Sequence, residues 1–430
     1  MARSLLESPS APEFPREFQE RHLSELAFLL TQRRRQLHDA GVEWPDLEPL
    51  EVRILRHVEA MQASGDVAAA CAREALDAVA EDELTAGIHA LVSIGDGLTE
   101  VMERMAVADA SLLPCFTEAL LLAQPPRLTE ALGALLSTPR PEVRATAARI
   151  LGQRHEGGAA LLLPLLDDAE LEVRAAAALA VSELGHRPAL ALLERKLSQS
   201  PADELDAWAL ASLRFGSARA LQACRQAARA MGAIPPRVPW LLALAGDAQD
   251  FGTLSRLCPQ PGMTVTVLEA LGILGAPASV PLLLEHLSHD EAGVRAAAAE
   301  ALTLMTGAGL VERVRVPDED AGDAEAEEDT GREVTQASTD AAAWDGWWEA
   351  HRTRLEGASR LRLGQPYSPR SSLEELAHPR SPFKARARAA LELDVRSGQP
   401  TGFQPDWPVQ RQCQSLARWQ REWAERPGMR

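Results

Sequence analysis

Apolar positions recur along the chain in two alternating styles. Short Leu-rich runs, such as "GGAALLLPLLDD" (157–168) and "ASVPLLLEHLSHD" (278–290), lead into polar turns. Ala-rich runs follow, as in "PEVRATAARILG" (141–152), "EVRAAAALAVSELG" (172–185) and "GVRAAAAEALTLMTG" (293–307). In the middle run, Val173, Ala176, Ala177, Ala180, Val181 and Leu184 fall at i, i+3, i+4, i+7, i+8 and i+11. That spacing predicts one continuous apolar helical face. Each unit therefore reads as a helical hairpin with a Leu-rich first helix and an Ala-rich second helix. Gly152, Gly185, Gly275 and Pro277 are expected to close the second helices, since glycine tolerates the left-handed cap position.

Val143 and Val173 stand 30 residues apart, and similar positions follow near Leu205, Val238, Val265 and Val294. A fixed period of this size is the signature of a solenoid, in which no hairpin buries its face alone but a stack does. The predicted class is all-α: an α-solenoid of helical hairpins with a Trp-rich helical C-terminal region. Arg144, Arg174 and Arg295 follow the valines at equivalent positions. They are expected to pair with turn carboxylates, as Asp168 does for Arg174 six residues on. Thr138 and His289 occupy the same offset before Arg144 and Arg295, so the rule is imperfect.

Departures from the pattern divide the chain. Residues 1–15 hold three prolines among Ser and Glu and read as disordered. Residues 16–80 read as an N-terminal helical cap, and 81–316 as the repeats. Residues 317–340 carry ten acidic groups and one basic group, a composition read as a disordered acidic insert. They lack the D-x-D-x-D-G order of a calcium loop. Residues 341–430 return to helical patterning, include a further hairpin in the repeat's style at 378–395 with Phe383 and Lys384 in place of Val-Arg, and hold six of the nine tryptophans. Trp344, Trp347, Trp348 and His351 share one predicted helical face, and Trp419 and Trp423 another. They read either as a cap docked on the last repeat or as an exposed partner-binding patch.

Net charge adjusts this picture. The chain totals −18, which argues against a nucleic-acid partner, because such binding needs clustered cations. Five scattered cysteines without a C-x-x-C pair fit free thiols in a reducing compartment. The N-terminal stretch has no apolar leader, and no apolar run approaches the ~20 residues of a membrane span. A cytoplasmic protein is expected.

The search for chemistry yields little. His286, His289, Asp290 and Glu291 sit at a hairpin turn, where polar residues belong anyway. No nucleophile elbow, P-loop, H-E-x-x-H or dinucleotide fingerprint is present in context. The expectation is no catalytic residue, no cofactor and no metal.

The phrase "LLPLLDDAELEVRAAAALAVSELG" (162–185) resembles a HEAT repeat, most specifically over 141–185 and 279–307. The resemblance implies binding to other proteins through a concave helical face. HEAT-repeat di-iron hydroxylases use several His-Glu pairs; this chain has one, His155-Glu156. HEAT-like DNA glycosylases need a basic concave surface, the opposite of this acidic body. More widely, residues 47–66, the repeats and 347–366 resemble an uncharacterised bacterial HEAT-repeat family. Some of its members are encoded near type VI secretion clusters, which implies an accessory role. The function expected is thus a scaffold or adaptor for a protein partner of unknown identity, with no membrane and no small molecule. The alternative is an enzyme or small-ligand carrier with a pocket beside the Trp-rich region, seeded by His351, Arg352 and Arg354.

Overall fold

The computed structural model describes residues 13–95, 97–230, 234–316 and 332–424. The residues expected to be disordered thus lie outside the described residues over 1–12 and 317–331. Helices dominate, and the fold is an all-α solenoid. The described strands form two short antiparallel pairs: Val311–Val316 with Arg332–Ala337, and Leu361–Arg362 with Gln365–Pro366. The first pair differs from the expectation for 317–340, because its second strand is built from residues assigned to the acidic insert. Val334 pairs with Val314 and Ala337 with Val311, and the β-branched Val334 and Thr335 suit a strand.

The chain divides into two compact units, residues 1–217 with 372–430, and residues 218–371. In the first unit, five second helices stack in chain order: Glu81–Ile94, Leu113–Leu122, Pro141–Arg154, Leu171–Glu183 and Leu205–Leu213. Helix Glu13–His38 packs on the first of these. In the second unit, Val238–Ala245, Thr264–Leu274 and Ala292–Thr306 stack in the same way. The repeat valines Val143, Val173, Val238 and Val294 are buried. Val265 is not: Val267 takes the core position of that hairpin and Val265 faces outward.

Burial of the second helices exceeds the single face read from spacing. In Leu171–Glu183, Ala178 and Ser182 are buried as fully as Val173 and Ala177. Each such helix lies between two others of its kind and against its own first helix, so little of its circumference meets water. Small residues make this possible by letting helix backbones approach closely. A Cβ placed on Gly152 would lie 2.7 Å from the Cα of Ala180, and one on Gly272 would lie 2.7 Å from the Cα of Ala301. Gly152 therefore does not close its helix, contrary to the sequence reading. It lies inside Pro141–Arg154, and His155 ends that helix at φ 56°. Gly185 and Gly275 do adopt the left-handed conformation, at φ 67° and 68°, as expected of cap glycines.

The region 341–430 is shared between the units rather than forming one cap. Helix Ala341–Leu355 belongs with the second unit, its N-terminus capped by the Asp340 carboxylate accepting from the Ala342 and Ala343 amides. Helices Phe383–Ser397 and Val409–Ala424 belong with the first unit. There Trp44, Leu47, Leu376, Leu393, Phe403 and Trp419 share one core cluster. Residues more than 300 positions apart thus bury one another.

Replacing Gly272 by Ala is expected to destabilise the protein by about 1–3 kcal/mol, as overpacking against a backbone does. Gly346→Ala, at a helical site with open space around its Cβ, should instead stabilise by about 0.5–1 kcal/mol. Denaturant midpoints of the two variants check both signs.

Candidate functional site

The repeat arginines tie one hairpin to the next. Arg144 donates from Nε and Nη2 to the two carboxylate oxygens of Asp168, at 2.9 and 2.8 Å, across 24 residues of sequence. Arg174 makes the equivalent bond to Glu204, 30 residues on. Asp168 therefore pairs with the arginine of the preceding hairpin, not with Arg174 as the sequence reading expected. Each arginine also donates Nη1 to the main-chain carbonyl six residues before it: Thr138, Asp168 and His289, each at 2.8 Å. A carbonyl is present whatever the side chain, which explains why Thr138 and His289 serve as well as Asp168. Arg295 has only carbonyl partners, His289 and Asp290, among the described residues. Its hairpin is the last, with no following turn to offer a carboxylate. Burial opposes ionisation of Asp168, but the hydrogen bonds from Arg144 and the Glu170 amide outweigh it and hold the carboxyl below its ordinary range.

A second set of guanidinium groups caps the C-terminal ends of second helices, where carbonyls lack intrahelical partners and the dipole favours cations. In the first unit, buried Arg154 donates to the carbonyls of Leu120 and Ala123 at 2.7 and 2.6 Å, and Arg411 to that of Arg154 at 2.6 Å. In the second unit, Arg360 donates to Leu274 and Ile273, and Arg362 to Ile273. Both stack on Tyr367, at 4.2 and 5.5 Å from its ring centroid.

Within the first unit, residues 372–424 run along three of these helix ends. Trp407 Nε1 donates to the Gln153 carbonyl, Arg187 to that of Gly398, and Arg214 lies between Glu183 (3.1 Å) and Asp394 (3.7 Å). Burial raises both carboxyls, against the pull of Arg214, with Asp394 reaching about 6.

Beside this segment the second-helix face stays open as a groove of about 550 Å³. Leu37, Leu113, Pro114, Thr117 and Leu121 form one wall; Glu142, Thr146, Arg149 and Gln153, one helical stripe, form the other. Arg34–Glu118 (3.0 Å) and Arg149–Glu172 (2.6 Å) pair at its margins. The groove thus has one largely apolar wall, facing a polar wall that carries charges of both signs.

The tryptophans fall differently from a single exposed patch. Trp344, Trp348 and Trp419 are buried. Trp344 donates to the Ser338 carbonyl (2.6 Å) and Trp419 to that of Thr401 (3.1 Å). Trp347 and His351 stay half-exposed, their rings stacked at 4.2 Å. The side chain of Trp423 lies outside the described residues. Arg352 pairs with Glu349 at 3.3 Å. His155 packs edge-on against Trp407, and burial, then Arg214 and Arg411, push its pKa down to about 3. No three His, Cys, Asp or Glu side chains converge to hold a metal among the described residues.

Residues 129–214 match the family model described as HEAT repeats. No curated protein matches the chain. Among solved structures, the chain is similar to an engineered protein from the Northeast Structural Genomics Consortium, at 16% identity over 66% of this chain and 88% of that one, with a TM-score of 0.31. It is similar to human deoxyhypusine hydroxylase in complex with glycerol, at 18% identity over 69% and 98%, TM-score 0.25. A second engineered protein from the same consortium aligns at 17% identity over 54% and 94%, TM-score 0.23. At such scores the fold class rests on the helices themselves and on the HEAT-repeat match. HEAT-repeat solenoids commonly serve as protein-interaction scaffolds.

A double-mutant cycle tests the ladder. Arg144→Ala and Asp168→Ala should couple by roughly 1–2 kcal/mol in unfolding free energy, as contacting, largely buried charge partners do. The Arg174→Ala and Asp168→Ala pair should couple more weakly, since Arg174 hydrogen-bonds the main chain of residue 168 and acts on its carboxylate only through space.

Proposed function

We propose that the protein is a non-catalytic, cytoplasmic scaffold or adaptor whose second-helix face, in the groove of the first unit, holds a segment of a protein partner. One observation carries this reading: three successive second helices, together with helix Glu13–His38, line an open groove to which residues 372–424 contribute Asp406. Its apolar wall beside charged groups of both signs suits a protein segment that presents apolar and charged side chains together. The HEAT-repeat match over 129–214 covers two of the three helices, Pro141–Arg154 and Leu171–Glu183, and supports the reading. The stacked Trp347 and His351 pair offers a second contact surface, on the other unit. An accessory role beside a bacterial secretion system is part of the proposal on the sequence resemblance alone. No described helix is long and apolar enough to cross a membrane.

A photo-crosslinking side chain at Pro114, in the groove, is expected to trap a protein partner in native lysate. The same probe at Val79, 96% exposed and outside the groove, should trap none. Equal capture at both positions, or none at Pro114 in folded protein, would contradict the reading.

A further inference from the structure

A second cavity in the first unit, of about 530 Å³, differs in character from the groove. Its floor is the C-terminal end of two second helices, where His155, Glu183 and Gly185 lie; the helix dipoles and the Glu183 carboxylate oppose an anion there, so the attraction comes from the opposite wall. Its wall is one face of helix Val409–Ala424, carrying Arg411, Gln414, Ser415, Arg418 and Arg421 at i, i+3, i+4, i+7 and i+10.

The three guanidinium groups are unusual in a chain of net charge −18. Arg411 donates to the Arg154 carbonyl and stacks on Trp407 at 3.7 Å. Arg418 reaches only the Thr401 carbonyl, at 3.5 Å, and Arg421 only that of Ala417, at 3.2 Å. None has a carboxylate within ion-pair distance among the described residues. Glu183 pairs with Arg214 and Glu156 with Arg154, while Glu156 and Asp406 act on Arg411 through space and leave Arg418 and Arg421 as the less compensated pair. His155, at the floor, has its Nε2 buried without a hydrogen-bond partner. Burial depresses its pKa most, and the positive charges of Arg214, Arg411 and Arg418 add to the shift.

Charge, size and spacing narrow the ligand. Guanidinium forks favour phosphate and carboxylate oxygens over other anions. Ten residues of helix span roughly 15 Å, more than a single phosphate bridges. A cavity of this size accommodates a small molecule. We propose that this cavity binds a small, soluble polyphosphorylated ligand, with Arg411, Arg418 and Arg421 receiving its phosphates and Gln414 and Ser415 positioning it. Such a ligand touches both the helix ends of the repeats and the C-terminal helix, so its binding holds residues 372–424 in their seat. The proposal stands on residues separate from the partner groove and does not depend on it.

Titration calorimetry of the full chain with tripolyphosphate and with ATP tests the site, with sodium chloride at matched ionic strength as the control. Saturable one-to-one binding of at least one probe is expected, together with a rise in melting temperature absent from the salt control. Arg418→Ala with Arg421→Ala should weaken binding about tenfold or more. Both side chains are exposed and make single main-chain contacts, so the unliganded melting temperature should barely change. No saturable binding, or equal affinity in the double variant, would overturn the assignment. So would sedimentation with vesicles containing phosphatidylinositol bisphosphate in the absence of any tripolyphosphate or ATP binding.

Discussion

The architecture depends on how closely second helices approach each other. Alanine and glycine at the contact remove the side-chain thickness that normally separates helix axes. At Gly152 over Ala180 and Gly272 over Ala301, one backbone reaches the other with no room for a methyl group. The first helices, richer in leucine, then close over the outer side of each pair. Individual alanines bury little area, and the stack is stable because many such contacts repeat in register.

Close packing creates a polar problem that arginine solves twice. At the start of each second helix, Arg144 and Arg174 bind the carbonyls of their own turn and the carboxylate of the next. At the ends, Arg154, Arg360, Arg362 and Arg411 satisfy carbonyls that have no helical partner. The planar fork with five donors fits this task, whereas an ammonium group would bond fewer oxygens at fixed geometry. The near absence of lysine, two of 44 basic residues, accords with an arginine-based scheme. Where the same group is left over, on the outer face of helix Val409–Ala424, it becomes available to a ligand.

The hairpins between 141 and 307 were legible in the sequence because a 3.6-residue period and a repeat near 30 agree with each other. Val143, Val173, Val238 and Val294 lie where that period places them, while Val267 takes the core position expected of Val265. What escaped was long-range. Nothing local to Asp168 says that its partner lies 24 residues earlier, because Arg174 stands at an equally suitable offset. Gly152 looked like a cap because it ends an apolar run, while its actual reason is a helix in another hairpin. The fate of the tryptophans was hidden for the same cause: Trp419 is buried through contacts with residues near position 44 and near 400. The cationic cavity had a faint sequence signal in the spacing of Arg411, Arg418 and Arg421, visible only once that helix face is known to look onto helix ends.

Hydrogen–deuterium exchange of the full chain tests the central claim most directly. If the second helices form the close-packed centre of each unit, amides in Leu171–Glu183 and Thr264–Leu274 should exchange slowest. Those in the first helices Leu190–Gln199 and Val280–His286 should exchange at least tenfold faster, about 1.4 kcal/mol in opening free energy. Equal protection of first and second helices, or faster exchange in the second, would contradict the account.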